Sequence, residues 1–398
     1  MVEAALSVKI LGSLFLIEKL MERKRIALVN CRIPTRLPEN ERGCVIIEDS
    51  RILDVCGKDS LPTDVEVVDM EGCYLSPGFI DLLANGAGGG AFGVTADIDD
   101  LKRMGQTMMD EGTTGFLAAA PSNTLELYKS MQQSLREHKY EIPQNFMGLH
   151  LEGPYFSMEY RGAHREDCVR SCDDAELKDL FDTPDHYIWL MSVAPEKITD
   201  AQVKFLEDKG IKISFAHSGV SYKEAISFLQ KPHRSVTHLY NGMPAMHHRK
   251  PGHIPAIFHV KPLTGIIVDG VHVSYPMVRM AYEIMPESLY LFTDRFTRCP
   301  AMGVLYDAEH DYCVRQLPDG GSVICGSALS MLKAVRNSVE QVGIPLREAL
   351  EMASLRPAKV LGLDNLFGKI EQGYAANLVA FDEDWQVKRV MFAGKWVR

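Results

Sequence analysis

Through the middle of the chain, short apolar runs alternate with amphipathic stretches. Strand-type runs end near Ile80, Ala119, Leu151, Val193, Ala216, Thr237, Val268 and Thr293, at spacings of roughly 20–45 residues. Between them, helix-type periodicity predicts helices over 97–111, 124–139, 174–180, 200–209, 222–229 and 275–285, with Thr124, Asp174 and Asp200 as N-caps. Eight βα units of this length predict a (β/α)8, TIM-like barrel; on pattern alone a doubly wound open sheet is the alternative. The residues that follow the runs favour the barrel. Asp81, Glu152, His217, His238, Asp269 with His272, and Asp294 stand at or just past strand ends, where a closed barrel gathers them and an open sheet leaves distant ones apart.

The two chain ends have a different texture. Short β-type runs at 26–29, 44–48 and 52–55 are matched by runs at 378–381, 387–392 and 394–397. Neither group has enough strands to fold alone, so both ends are expected to pair into one small β domain. The apolar run at 10–17 is too short for a membrane span. It leads into charged residues rather than a small-residue cleavage site, so no signal peptide is expected. Residues 1–24 are read as an N-terminal extension, with Met21 a possible alternative start.

Composition narrows the function classes. A chain of 398 residues that is 46% hydrophobic and 24% charged is an ordinary soluble globular protein. Its net charge of −10 argues against a nucleic-acid partner. Nine scattered cysteines, an odd number without framework spacing, point to a reducing, cytoplasmic compartment. Cys168 and Cys172 are a lone pair rather than a zinc knuckle. Gly86, Gly88, Gly89 and Gly90 lack the spacing of a dinucleotide fingerprint.

The chemistry lies in the polar residues of the strand ends. Glu152, His217 and His238 form a carboxylate and two imidazoles, the ligand set of one divalent metal with an open position. Zinc suits that set first, with iron, cobalt or manganese as alternatives. Asp294 closes the last strand and is the candidate general base and acid. His164 and His272 lie on loops of the same face, placed to hydrogen-bond a substrate. The backbone at Asn241 and Gly242, with Arg249 and Lys250, is the candidate anion cradle. His150 points to the same side of its strand as Glu152 and is read as a supporting or core histidine. His247 and His248 are read as surface loop residues.

Taken together, several segments carry a resemblance. They are 76–81 (SPGFID), 150–154 (HLEGP), 162–164 (GAH), 194–196 (APE), 216–218 (AHS), 237–243 (THLYNGM), 269–272 (DGVH), 293–294 (TD) and 326–329 (GSAL). Segments 356–358 (RPA) and 373–379 (GYAANLV) complete the series. In order and spacing the chain, from about residue 25 onward, resembles the N-acetylglucosamine-6-phosphate deacetylases of the amidohydrolase superfamily. The resemblance implies a barrel with a small β-sandwich made by both ends. Its layout is 25–77 for the first part of the sandwich, 78–355 for the barrel and 356–398 for the second part. It implies metal ligation by Glu152, His217 and His238, and Asp294 as base and then acid. His164, His272 and the backbone of Asn241 and Gly242 would contact the sugar phosphate. Arg249 would reach the phosphate held by a neighbouring subunit, in a homodimer. The implied reaction is metal-dependent removal of acetate from N-acetylglucosamine 6-phosphate. Alternatives are the galactosamine epimer or another small amide, and a silent relative that only binds the sugar phosphate. Leu83 and Asn85 replace two histidines found in many superfamily members, so one metal is expected rather than two. The bulky, cationic run Arg295-Phe296-Thr297-Arg298-Cys299 is expected to tighten the pocket or add to its anion affinity.

Overall fold

A computed structural model describes residues 25–38, 41–56, 65–182, 186–299, 303–307, 309, 312–317 and 320–398; the predicted extension at 1–24 lies outside the described residues. The chain divides into two compact units. One comprises the chain up to Ile80, Met108–Gly115 and Met331–Arg398; the other comprises Asp81–Thr107 and Phe116–Ser330.

The first unit joins the chain ends in the predicted way. Strands β1 (Arg25–Cys31), β2 (Gly43–Glu48), β3 (Arg51–Cys56) and β4 (Glu66–Asp69) form a sheet in the order β3-β2-β1-β4. Strand β5 (Tyr74–Pro77) pairs antiparallel with Leu378–Phe381 in a second sheet, completed by Val387–Phe392 and Lys395–Trp396. Alternate side chains of both sheets share one core that includes Leu28, Val45, Ile47, Leu75, Leu378 and Met391. Each group of strands has a buried apolar face only because the other covers it.

Eight parallel strands make the barrel sheet: β6 (Phe79–Ala84), β7 (Thr113–Pro121), β8 (Phe146–Glu152), β9 (Ile188–Val193), β10 (Lys212–Phe215), β11 (Arg234–Val236), β12 (Leu263–Ile267) and β13 (Leu289–Phe292). The ring closes between its first and last members. Ala84 bridges Arg295, and the Asn85 and Gly86 N–H groups donate to Arg295 O at 2.8 and 3.0 Å. Inside the seam, the Asp81 carboxylate accepts from Thr293 N and Thr293 Oγ1. The first strand thus runs on past Ile80 to Ala84, and Asp81 lies within it, fully buried, rather than at its end.

The helices fall where the periodicity placed them, with two caps corrected. Thr124 caps Leu125–Glu137, but Asp173 rather than Asp174 caps Asp174–Leu180, accepting from Ala175 N and Glu176 N. Thr199 rather than Asp200 caps Asp200–Asp208, in a reciprocal capping box with Gln202. In both cases a better-placed acceptor sits one residue earlier, and the carboxylate occupies the first turn, where the helix dipole favours it. Beyond β13 comes a sheet that the alternation did not predict, β14 (Val304–Asp307), β15 (Tyr312–Gln316) and β16 (Ser322–Ser327), antiparallel in that order. Its signal was present in Pro318-Asp319-Gly320-Gly321, a turn sequence between two β-type runs.

Candidate active site

The strand ends deliver the polar residues to one cavity. Glu152 is the last residue of β8, and His217, His238 and Asp294 each follow β10, β11 and β13 by two residues. Asn85 follows β6 directly, and His272 lies on the loop after β12. All six line a cavity of about 170 Å³, together with His164, Asn241 and Gly242. His217, His238 and Asp294 have φ of +45°, +30° and +46°. Side chains with a Cβ avoid that region, at a cost of about 1–3 kcal/mol each. The sheet ladder holds them there: Ala216 N donates to Val193 O, Thr237 N to Phe215 O and Ser327 N to Asp294 O, each at 3.0 Å.

Glu152 Oε1 lies 3.0 Å from His238 Nε2, 3.6 Å from His217 Nε2 and 3.8 Å from His164 Nε2. The Nε2 atoms of His217 and His238 are 3.1 Å apart. Atoms bound to a tetrahedral ion at about 2.0–2.1 Å stand roughly 3.3 Å from one another, so this spacing suits a single ion. Proximity alone admits Glu152, His164 and His217 as a ligand set. Hydrogen bonding separates the histidines. His164 Nδ1 accepts from Ser122 N at 3.1 Å, so the neutral ring carries its proton on Nε2 and offers a donor to the cavity, not a lone pair. His217 is the reverse: Nδ1–H donates to Tyr160 O at 2.8 Å, leaving an Nε2 lone pair that faces the Glu152 carboxylate. Two acceptors face each other there, an arrangement that a cation relieves. His238 Nδ1 has no partner among the described residues, and its Nε2 points at Glu152 and His217. Glu152 and His217 therefore present acceptors to one point, and His238 Nε2 lies 3.0 Å from the first and 3.1 Å from the second.

Burial and neighbouring charge act differently on each group. Burial works against the Glu152 charge, yet the three imidazoles hold the carboxyl well below its usual range. Burial pushes His217 down to about 4, so the ring is neutral and ligand-competent. Burial opposes charge on His238 too, but its bond to Glu152 overrides this and keeps it above its ordinary value. Burial first, and then the Glu152 charge, push Asp294 up to about 7. Asn85 Nδ2 donates to Asp294 Oδ1 at 2.7 Å and fixes its orientation. Glu196 braces the loop after β10, accepting from Ser218 Oγ and Gly219 N, each at 2.7 Å.

The remaining predicted residues divide. Asn241 and Gly242 line the cavity, whereas Arg249 and Lys250 are exposed and do not line it. His150 is buried in the barrel interior, bonded to Leu82 O and Ser192 Oγ, each at 2.7 Å. Of the run after Asp294, Phe296 lines the cavity and Arg295 does not; the Arg295 charge instead acts on Asp81. Leu83 is fully buried and has no ligand atom. Sequence reasoning missed the orienting role of Asn85, the Ser122 N–H, and Arg315. Arg315 lines the cavity from β15 and donates from Nη1 to Ala163 O at 2.6 Å. Only Asn85 had a local signal, its position just past the first strand.

Comparison with known proteins follows the same line. The amidohydrolase family model matches residues 74–397. An N-acetylglucosamine-6-phosphate deacetylase of Haemophilus influenzae is 33% identical over 386 residues, covering 94% of this chain and 99% of that protein. An N-acetylgalactosamine-6-phosphate deacetylase of Escherichia coli is 29% identical, covering 84% of this chain and 90% of that protein. Among solved structures, N-acetylglucosamine-6-phosphate deacetylase from Pasteurella multocida superimposes with a TM-score of 0.84 at 31% identity, covering 94% of this chain and 99% of that one. Sequence match, barrel and site agree: the chain belongs to the amidohydrolase family and is a hydrolase that acts on an amide.

Proposed function

We propose that the protein removes the acetyl group from an N-acetylated amino-sugar 6-phosphate, with N-acetylglucosamine 6-phosphate the first candidate. The observation that carries this reading is the facing of Glu152, His217 and His238 on one point, with Asp294 held beside them by Asn85. Deacetylases of N-acetylglucosamine 6-phosphate among the relatives supply the substrate class. Glu152, His217 and His238 would hold one divalent ion, zinc first among the metals such ligands take. When bound, that ion supplies Lewis-acid polarisation of the acetyl carbonyl and lowers the pKa of water toward neutrality.

The chain's own groups do the rest. Asp294 Oδ accepts the proton of the attacking water and returns it to the departing amine nitrogen. His164 Nε2–H donates to the carbonyl oxygen as negative charge builds on it. His272 and the Asn241–Gly242 backbone hold the sugar phosphate. Arg249, exposed and off the cavity in its own chain, would serve the site of a neighbouring subunit in a homodimer. The site residues favour an active enzyme over a silent sugar-phosphate binder, because a binder has no use for a base with a raised pKa beside the ligands. We place the domain boundaries at 25–77, 78–355 and 356–398, and the protein in the cytoplasm.

The test is acetate release from N-acetylglucosamine 6-phosphate, its galactosamine epimer and unphosphorylated N-acetylglucosamine. Phosphate-dependent turnover of the first compound is expected. Preference for the epimer would change the substrate, and inertness toward all three would remove the reading.

A further inference from the structure

Asp269 and His272 form a pair whose geometry the proposed reaction leaves unexplained. On the loop after β12, Asp269 Oδ1 accepts from Val271 N at 2.9 Å and His272 N at 2.8 Å. Its other oxygen, Oδ2, lies 2.6 Å from His272 Nδ1. Both side chains are nearly inaccessible, 6% exposed for Asp269 and 9% for His272. Gly270, at φ +80°, makes the turn that folds the histidine back over the aspartate. An ionised carboxylate can only accept, so the contact requires a proton on Nδ1 whether the ring is neutral or charged. His272 lines the cavity, and Nε2 is its one remaining polar ring atom.

We propose that Asp269 is a positioning residue that acts through His272: it locks a ring proton onto Nδ1, fixes the ring's orientation and so dedicates Nε2 to a polar group of the bound sugar phosphate. The inference rests on the deacetylase reading for the identity of that ligand. Charge supports it. Burial works against an imidazolium here, but the Asp269 carboxylate overrides burial and holds His272 above its ordinary value. Asp294 acts in the same direction and His238 opposes it. The loop thus favours the charged form of the ring, which faces a cavity expected to hold an anion.

Asp269→Asn separates this from mere loop shaping. Its amide oxygen can keep both backbone N–H groups, while its NH₂ turns a donor toward Nδ1 and forces the neutral ring to carry its proton on Nε2. In metal-loaded enzyme labelled with ¹⁵N-histidine, His272 Nδ1 is expected to be protonated, and unprotonated at neutral pH in the variant. KM for the sugar phosphate should rise about 10–100-fold, as for a lost charged hydrogen bond, with kcat changed much less. That rise should be greatest where the wild-type ring is charged and the variant ring neutral, and should fade at alkaline pH, where both are neutral. In a His272→Gln background the same Asn substitution should cost nothing more. An unmoved Nδ1 proton would overturn the proposal, and so would an equal loss in the His272→Gln background, which would make Asp269 a loop residue only. If neither protein releases acetate, the reaction reading fails, while the ring resonances still decide the role of Asp269.

Discussion

At the scale of single residues, Gly242 meets two demands. Its φ of +62° is a conformation that side chains rarely adopt, and a Cβ there would stand 2.5 Å from His217 Nδ1. The absent side chain thus makes room for the imidazole beside it. Gly242→Ala should therefore displace His217 and lower metal affinity about 10–100-fold, as expected when the support of a ligand is lost, measured by competition with a chelator. Unchanged affinity would mean that the loop absorbs the methyl group and that His217 is not so confined. Glu152, His217 and His238 were legible in sequence because each ends an apolar run. Their orienting partners were not. Ser122 N and Tyr160 O are backbone atoms brought in from other loops, and no residue type announces them. The same contacts put the proton of neutral His164 on Nε2 and leave a lone pair on His217 Nε2, a distinction that spacing could not make.

At the scale of elements, the closure of β6 on β13 carries a titratable seam. Burial pushes Asp81 up to about 6, against the opposing bonds from Thr293 and Leu83 N–H. The folded chain then keeps a proton that the unfolded chain releases near the ordinary carboxyl value. The resulting stability is fully present below about 4 and is lost as pH rises through about 6. Asp81→Asn keeps the shape and removes the titration. Between about pH 4.5 and 7.5 the variant should gain on the order of 2 kcal/mol relative to wild type, measured by urea unfolding. A difference that stays constant with pH would contradict a buried, ionising Asp81. Strand ends from β7 onward were readable within a residue or two because apolar runs stop sharply at polar residues. The first strand was not: Asp81 looks like a terminator, and only its bond to Thr293, more than two hundred residues away in sequence, shows it to be interior. The β14–β16 sheet was missed because its strands are short and half-exposed, with Leu305, Tyr306 and Ile324 facing outward.

At the scale of the whole molecule, the residues of the site all belong to the unit made of Asp81–Thr107 and Phe116–Ser330. The other unit is assembled from the two chain ends, as their matching texture implied. No helix among the described residues is long and apolar enough to cross a membrane. A metal that binds only the folded barrel must stabilise it by mass action, by about 2.7 kcal/mol at a hundredfold excess over the dissociation constant. Chelation should therefore lower the melting temperature by several degrees, and restored zinc should reverse the loss. No shift on chelation would count against a structural grip by Glu152, His217 and His238.

The most direct test of the account joins metal and base in one variant. Asp294→Asn keeps the size of the side chain and its reach to Asn85 but cannot take a proton. Acetate release from N-acetylglucosamine 6-phosphate and bound metal should be measured on the same preparations. Turnover should fall roughly 10²–10⁴-fold, with about one metal per chain and ligand binding retained. Turnover equal to that of the wild type, with metal still bound, would contradict this expectation and take Asp294 out of the chemistry.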